Sequence, residues 1–328
     1  MSEYHIPVLL AESVSALVTN PDGIYADATF GGGGHTAAVL SRLHDGGRVI
    51  AFDRDADAIA NAPKDPRLTL IHNNFRFIEN YAWQLLAGPE GPLPSASLRD
   101  PVRANAAGRV PSGPAVFDGI LADLGVSSHQ FDTAERGFSF RFEEAPLDMR
   151  MNKEGKLTAE EVVNSYAEKD LERILKIYGE VDNARQMARL IKAAGSIHTT
   201  GDLDRALEKM LPKGAEHKVL AKVYQALRIE VNQEMRLLEK FLEGAARSLR
   251  PGGRLVVITY HSLEDRMVKN FIKCGNVEGH LQTDVFGRVN TPLEAVNRKP
   301  IVPEESEIER NTRARSAKLR IAERREDQ

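Results

Sequence analysis

Cysteine and long apolar runs are scarce in this chain of 328 residues. Cys274 is the one cysteine, which excludes an internal disulfide and a zinc site built from cysteines. Nine histidines leave other metals open, but no metal site is predicted. No run approaches the roughly 18 apolar residues of a membrane-spanning helix, and the first residues lack the pattern of a secretion signal. We therefore expect a cytoplasmic protein, neither secreted nor inserted in a membrane.

Strong net charge is also lacking, since the formal value is -3. This argues against indiscriminate binding of nucleic acid. The segment from Arg310 to Arg325 is an exception, because its many bases are opposed only by Glu309 at its edge and Glu323 within it. Such a segment is either a phosphate-binding surface or a solvated face. With 42% hydrophobic residues, the chain is long enough for two domains or one domain with a large insertion.

A run of four glycines, Gly31–Gly34, follows a strand-like segment and precedes a helix-like one. Glycine permits sharp turns and close approach of a ligand to the backbone, and the N–H groups of the following helix are free to bind acceptor atoms. A plain turn between strand and helix is the alternative, but one glycine suffices for that. The run therefore predicts a site for a nucleotide-like ligand of unspecified kind.

Strands and helices alternate along the first part of the chain and return near its end. The predicted strands are 23–26, 47–53, 67–72, 117–125, 254–260 and a last one at 317–322, with helices after the glycine run, through 57–60 and at 77–86. This order predicts an α/β fold with a parallel sheet, whose ligands gather at the carboxyl ends of the strands. The segment 88–114 holds six prolines and four glycines and is interpreted as a mobile surface loop.

Only helices are predicted between the fourth and fifth strands, at 158–166, 170–178, 183–194 and 200–210. We expect one long helix from 217 towards 249 to lead back to the sheet. The predicted domains are therefore a sheet domain of 1–138 and 217–328 and an inserted helical domain of 139–216. Arg185, Arg189 and Lys192 share one helix face, which is either solvated or RNA-facing.

Asp53 ends the second strand some twenty residues after the glycines, where a carboxylate accepts the hydroxyls of a ribose. The alternative is an N-cap for a helix beginning near Asp55. The adenosine-bearing cofactor that this pairing predicts is either NAD or S-adenosylmethionine. The glycine run lacks the G-x-G-x-x-G spacing of a dinucleotide site and is preceded by Asp27, an acid that suits a cationic methionine group better than a pyrophosphate.

Three further residues follow other strands. Asp123 ends the fourth strand, where an acceptor would orient an amine during methyl transfer, unless it only orders its loop. Phe75 either packs on an adenine or belongs to the core. His261 follows the fifth strand and is either a substrate contact or a packed or capping histidine, whereas Ser262 and Asp265 match the cap of the next helix.

Taken together, eight motifs resemble those of the H-type family of bacterial 16S rRNA cytosine-N4 methyltransferases. They extend over almost the whole chain and are Thr29–His35, Asp53–Asp55, Asp123–Ser128, Glu135–Phe140, Pro146–Met151, Arg228–Asn232, His261–Arg266 and Arg313–Ser316. Two departures stand out: Gly32 replaces a larger basic residue that relatives often carry, and the segment 88–114 exceeds the usual connection.

The resemblance implies a class I, Rossmann-like methyltransferase sheet with an inserted all-helical subdomain. It implies S-adenosylmethionine as cofactor and a cytidine in the decoding region of 16S rRNA, within the small ribosomal subunit, as substrate, and no obligate protein partner is evident. The cofactor residues it implies are Gly33, Gly34, His35, Asp53, Phe75, Asp123 and Gln130. Asp123 is also the candidate catalytic residue, and the candidate RNA contacts are His261, Arg313, Arg315 and Lys318.

Three other functions remain open on the sequence. One is a methyltransferase of the same fold that acts on a protein or a small molecule. Another is a noncatalytic RNA-binding or ribosome assembly factor, which would not bind S-adenosylmethionine. A dehydrogenase is disfavoured because the G-x-G-x-x-G spacing is missing.

Overall fold

The computed structural model describes residues 7–55, 58, 59, 62–87, 114–125, 131–283, 287 and 289–326. Seven strands are seen there: β1 (Ile24–Asp27), β2 (Arg48–Asp53), β3 (Leu68–His72), β4 (Phe117–Asp123), β5 (Leu249–Thr259), β6 (Leu293–Ala295) and β7 (Lys318–Arg324). The α-helices are α1 (Leu10–Leu17), α2 (Gly34–Leu40), α3 (Ile78–Ala87), α4 (Ala159–Ser165), α5 (Glu168–Ile177), α6 (Ala184–Ala193), α7 (Thr200–Leu207), α8 (Glu216–Asn232), α9 (Glu234–Ser248), α10 (Ser262–Cys274) and α11 (Glu305–Arg310).

The chain divides into two compact units. The first contains residues 1–125 and 237–328, and the second contains residues 126–236. All seven strands form one sheet of the first unit, in the order β3-β2-β1-β4-β5-β7-β6. The first five are parallel, whereas β7 runs antiparallel to both of its neighbours. The predicted α/β class with a parallel sheet is confirmed.

Alternating side chains of the strands enter two apolar cores, one on each face of the sheet. On β5, Leu255 and Val257 join the core with α3, α9 and α10, whereas Val256 and Ile258 join the core with α1 and α2. The central strands β1, β2, β4 and β5 carry buried side chains on both faces, as expected for a parallel sheet covered by helices. Because β1, β2 and β4 are neighbours, the acids that end them lie at one edge of the sheet.

The second unit is helical in its described residues and has an apolar core of its own. That core includes Phe138, before the expected insert of 139–216, and Val223 and Leu227 of α8, after it. The expected bounds were therefore too narrow on both sides, because the apolar face of α8 packs with the other helices of this unit. A capping box between Thr158 and Glu161 is present at the start of α4.

The long helix expected from 217 to 249 was a wrong prediction. The chain there is broken at Gln233, which adopts a left-handed conformation with φ 51° between α8 and α9. α7 is capped by Thr199, whose side chain forms a capping box with that of Asp202. Within the described ranges, none of the helices is both long and apolar enough to span a bilayer.

Candidate functional site

The glycine run connects the carboxyl end of β1 to α2. Gly31 and Gly33 have positive φ angles of 52° and 74°, and Gly33 is the N-cap of α2. A Cβ at Gly33 would lie 2.7 Å from Cζ of Phe30, and a Cβ at Gly34 would overlap the ring of Pro7. The loop therefore needs glycine at three of its four positions, either for its backbone angle or for space.

Asp53 at the end of β2 is tied to this loop. Its Oδ2 accepts a hydrogen bond of 2.7 Å from the N–H of Gly31, and its Oδ1 accepts one of 2.8 Å from the N–H of Asp55. Burial raises the pKa of Asp53, and these two backbone donors oppose that rise. Asp53 thus orders the turn before Asp55, as the capping interpretation expects, and it also holds the glycine loop against β2.

Asp27 ends β1 and is buried beside the same loop. Its carboxylate accepts hydrogen bonds from the Thr36 hydroxyl, at 2.6 Å, and from the N–H of Thr29, at 3.0 Å. Burial raises its pKa, while the hydrogen bond from Thr36 and the nearby His35 oppose the rise. The acid predicted to face a cationic group therefore fixes the first turn of α2 to β1.

His35 lies between the start of the chain and Asp123. Its Nε2 is 3.2 Å from the carbonyl oxygen of Val8, and its Nδ1 is 3.7 Å from Oδ2 of Asp123. The N–H of Leu9 donates to Glu307 Oε1 at 2.8 Å, so α11 holds the segment that carries Val8. With Nε2–H donated to Val8, the other ring nitrogen of His35 is directed at the Asp123 carboxylate.

Asp123 has contacts on several sides. Its N–H donates to the Thr29 hydroxyl at 2.7 Å, and its Oδ1 accepts a hydrogen bond of 2.7 Å from the Tyr260 hydroxyl. Burial raises the pKa of Asp123 to about 6, although the nearby His35 and the Tyr260 hydroxyl both lower it. Asp123 is therefore a half-buried acceptor whose pKa lies above that of an ordinary aspartate.

Phe75 begins the turn after β3. Its ring packs edge-to-face on Phe241 with the centroids 5.2 Å apart, and the Arg54 guanidinium lies 5.9 Å from the ring centroid. The residue is half-buried, so it contributes to the core without being enclosed by it. Gln130, the remaining predicted cofactor contact, lies outside the described residues, as does the segment 88–113.

His261 is the N-cap of α10, as one of its two sequence interpretations expects, whereas Ser262 is not the cap. Its side chain accepts from the N–H of Glu264, and the Glu264 carboxylate reaches back to the N–H of His261 in a capping box. An imidazole nitrogen fills the position that serine or aspartate usually occupies. Only 7% of the side chain is exposed. An RNA contact of His261 stays a prediction.

The basic residues near the C-terminus differ in exposure. Arg313 and Arg315 belong to a 3-10 turn before β7, and Arg315 is exposed. Lys318 Nζ is 3.5 Å from Asp265 Oδ2, and Arg320 binds both oxygens of the same carboxylate at 2.6 and 3.1 Å. The last strand is present as predicted, but Arg320 is buried in an ion pair, so the expected basic face of β7 is smaller than its sequence indicates.

Four partners at this edge were missed from the sequence. Val8 acts through its carbonyl oxygen, which leaves no sequence signal. Thr29 and Thr36 flank the glycines and resemble ordinary loop and helix residues. The Thr29 hydroxyl accepts from the backbone N–H of Asp123, and the Thr36 hydroxyl donates to the Asp27 carboxylate. Tyr260 precedes the candidate residue His261, and its sequence position indicates only the last residue of a buried strand.

The edge of the sheet thus combines the buried Asp27 and the half-buried Asp53 and Asp123 with a backbone loop. A ligand that carries a sugar diol and a cationic group fits this donor set, since carboxylates accept from both. The buried position strengthens each of these interactions. The arrangement suits the binding of an adenosine derivative with a positively charged tail.

Comparisons with known proteins agree with this arrangement. The sequence profile of the MraW methylase family matches residues 2–325. The chain is 52% identical over 323 residues to Ribosomal RNA small subunit methyltransferase H of Bacteroides thetaiotaomicron, covering 98% of this chain and 97% of the relative. It is 50% identical over 324 residues to the protein of the same name from Flavobacterium johnsoniae, covering 98% of each.

Similarity to solved structures is lower. A methyltransferase homologue from Pyrococcus horikoshii is 15% identical with a TM-score of 0.38. The match covers 97% of this chain and 66% of that one. The match of the family profile to residues 2–325 and the close relatives show the family. This chain belongs to the MraW methylase family and is a methyltransferase with the class I, Rossmann-like fold and an inserted helical subdomain.

Proposed function

We propose that this protein transfers a methyl group from S-adenosylmethionine to N4 of a cytidine in the decoding region of 16S rRNA, within the small ribosomal subunit. The observation that carries the proposal is the meeting of the glycine loop, Asp53 and Asp123 at one edge of the sheet. The names of the relatives support the ribosomal substrate. The resemblance of the eight motifs supports the cytidine N4 and the decoding region.

The cofactor site in this proposal consists of Gly33, Gly34, His35, Asp53, Phe75, Asp123 and Gln130. S-adenosylmethionine supplies an electrophilic methyl group on a sulfonium. Asp53 accepts hydrogen bonds from the ribose, and the glycine loop lets the backbone approach the ligand. The open side of Phe75 offers a surface for the adenine.

Asp123 would serve the reaction at the acceptor nitrogen. The lone pair of cytosine N4 is delocalised into the ring, so this amine is a poor nucleophile until its geometry changes. Asp123 accepts one N4 hydrogen, which orients the amine for in-line attack and offsets the positive charge that develops on it. N4 would form the new bond to the methyl carbon while the carbon–sulfur bonding pair stays on sulfur, and the N4 proton would pass to the Asp123 carboxylate and then to water.

The target cytidine must be unpaired or flipped out to reach this edge, which favours recognition of an exposed RNA site. The turn before β7 carries Arg313 and Arg315, and β7 begins at Lys318. Lys318 pairs with Thr259 at the carboxyl end of β5. In this proposal they bind phosphates that flank the target. The helical unit is proposed as a second substrate-recognition element.

Labelled methyl transfer to purified small subunits that lack the modification tests the activity. Nuclease digestion and mapping of the labelled nucleoside should place the label on N4-methylcytidine of 16S rRNA. Label in a protein or a free metabolite would support another acceptor, and failure to bind S-adenosylmethionine would support a noncatalytic role. Full turnover of Asp123→Asn and Asp123→Ala at saturating cofactor would remove Asp123 from the reaction.

Charge reversal tests the RNA surface. We expect Arg313→Glu with Arg315→Glu to weaken RNA binding and to reduce its salt dependence, since each lost phosphate contact lowers the slope by about one. Lys273→Glu is the matched control, because Lys273 is exposed at the far end of α10 from Ser262. An unchanged salt slope in the double variant would contradict the assignment.

A further inference from the structure

Tyr260 follows β5 directly and reaches across to Asp123, which ends β4. Its hydroxyl donates a hydrogen bond of 2.7 Å to Oδ1 of Asp123. Its backbone N–H donates to Oε2 of Glu264 at 2.9 Å, so this buried side chain in the first turn of α10 fixes the residue at its main chain. Tyr260 is therefore held at both ends, by α10 at the backbone and by Asp123 at the hydroxyl.

Gly125 provides the space for the ring of Tyr260. It has a φ of 116°, and a Cβ placed on it would lie 3.2 Å from Cδ2 of Tyr260. A side chain at this position would be strained and would press on the ring. The turn after β4 is thus shaped to admit the tyrosine next to Asp123.

The hydrogen bond has a defined direction. Burial raises the pKa of Tyr260 well above its ordinary value, and the adjacent Asp123 carboxylate raises it further. The hydroxyl therefore keeps its proton and donates it. The Tyr260 hydroxyl donates to Oδ1 of Asp123, and Nδ1 of His35 lies 3.7 Å from Oδ2. Each oxygen of the carboxylate therefore has a different neighbour.

We propose that Tyr260 is a positioning residue for methyl transfer: it fixes the plane of the Asp123 carboxylate. The carboxylate oxygen that accepts from the acceptor nitrogen then keeps that nitrogen in line with the incoming methyl group. This inference rests on the proposed function, because it acts through Asp123. A purely structural role for Tyr260 would change the stability of the fold but neither the turnover nor its pH dependence. The two roles are therefore separable.

Tyr260→Phe is the test, since it removes the hydroxyl and keeps the ring against Gly125. Tyr25→Phe is the matched control, because Tyr25 is also buried and its hydroxyl exchanges hydrogen bonds with the backbone of Asn20, before β1. Both variants lose a hydrogen-bonded tyrosine hydroxyl of the same unit. Of these two tyrosines, only Tyr260 contacts Asp123.

We expect Tyr260→Phe to lower kcat for methyl transfer about tenfold, with a smaller change in KM for S-adenosylmethionine. The acid limb of the pH profile should move to higher pH, because Asp123 loses a donor that favours its charged form. The other ionisable groups that face Asp123 are His35 on α2, Asp27 on β1 and Glu264 on α10, and all three remain in the variant. Tyr25→Phe should leave kcat and the profile unchanged.

Unchanged kcat and acid limb in Tyr260→Phe, together with loss of turnover in Asp123→Asn, would overturn the role of Tyr260 and leave the proposed function intact. Full turnover of Asp123→Asn would overturn this inference and the role of Asp123, but not the methylation itself. An equal loss of kcat in Tyr25→Phe and Tyr260→Phe would reduce the effect to general destabilisation.

Discussion

The ring of Pro7 occupies the space that a side chain on Gly34 would need. We expect Gly34→Ala to push the segment of Pro7 and Val8 away and to remove the carbonyl partner of His35. Overpacking of this kind costs about 1–3 kcal/mol of stability. Affinity for S-adenosylmethionine should fall at least tenfold, as measured by titration calorimetry.

Gly214→Ala is the control for this prediction. Gly214 has a φ of 78° but nothing lies within 4 Å of a Cβ placed there. The variant should lose about 1 kcal/mol from backbone strain and keep its cofactor affinity. Equal affinities for wild type and Gly34→Ala would show that Pro7 moves aside without affecting the site.

Asp53 joins the glycine loop to β2 through the N–H of Gly31, so its removal should loosen the loop. We expect Asp53→Ala to weaken S-adenosylmethionine binding by roughly ten to a hundredfold, since hydrogen bonds to a charged group contribute about 1.5–3 kcal/mol. Asp53→Asn should be intermediate, because its amide oxygen still accepts one bond. Asp22→Asn, at an exposed carboxylate, is the control. Wild-type affinity in Asp53→Ala would exclude both the loop contact and the ribose contact from binding.

Burial of the Asp123 carboxylate lowers the stability of the fold at neutral pH. Its pKa is about 6 in the folded protein against an ordinary value of 3.8, so the folded state binds the proton more tightly than the unfolded state. The destabilisation is therefore full above about pH 6 and absent below about pH 4. Asp123→Asn should raise the free energy of unfolding at about pH 8 by up to about 3 kcal/mol, while it impairs methyl transfer.

Urea unfolding of wild type and Asp123→Asn at about pH 8 and about pH 4 checks this prediction. The gain should shrink as the pH falls, because the wild-type carboxyl becomes neutral in both states. A gain of the same size at both pH values would assign it to packing and not to charge. Asp22→Asn should show no comparable gain.

Gln233 lies between α8 and α9 with φ 51° and ψ 38°. Glycine adopts this left-handed conformation without the steric penalty of a Cβ, so Gln233→Gly should stabilise the protein by about 0.5–1 kcal/mol. Ala221→Gly on the exposed side of α8 should cost about 1 kcal/mol, because there glycine only weakens the helix. Thermal unfolding of both variants should therefore shift in opposite directions. A loss in Gln233→Gly would mean that the glutamine side chain stabilises the break.

The sheet was predictable because its signals are local. An apolar run that ends in an acid marks β2 and β4, and their ends at Asp53 and Asp123 agree with the predicted strands. The break at Gln233 was not predictable, since no glycine or proline marks it and apolar residues continue on both sides. β6 was missed because three residues carry too little periodicity to stand out.

The candidate site was predictable in its acids but not in their partners. Asp27, Asp53 and Asp123 follow strands, so their shared edge comes from topology alone. Their hydrogen bonds to Thr36, Gly31 and Tyr260 depend on the angles of turns, which sequence patterns do not encode. His261 kept two interpretations because histidine is an uncommon cap, although Glu264 three residues later is the usual sign of a capping box.

The contact between Leu9 and Glu307 joins residues that are 298 positions apart in the chain. During synthesis, β1, the glycine loop and β4 emerge early, but β5, which pairs with β4, comes only after the whole helical unit has been made. Contacts of such long range form late in folding, whereas the helical unit has its own core and only local segments to assemble. A nascent chain should therefore carry a folded helical unit before it can bind cofactor, and competence for catalysis should appear only when nearly all of the chain has left the ribosome.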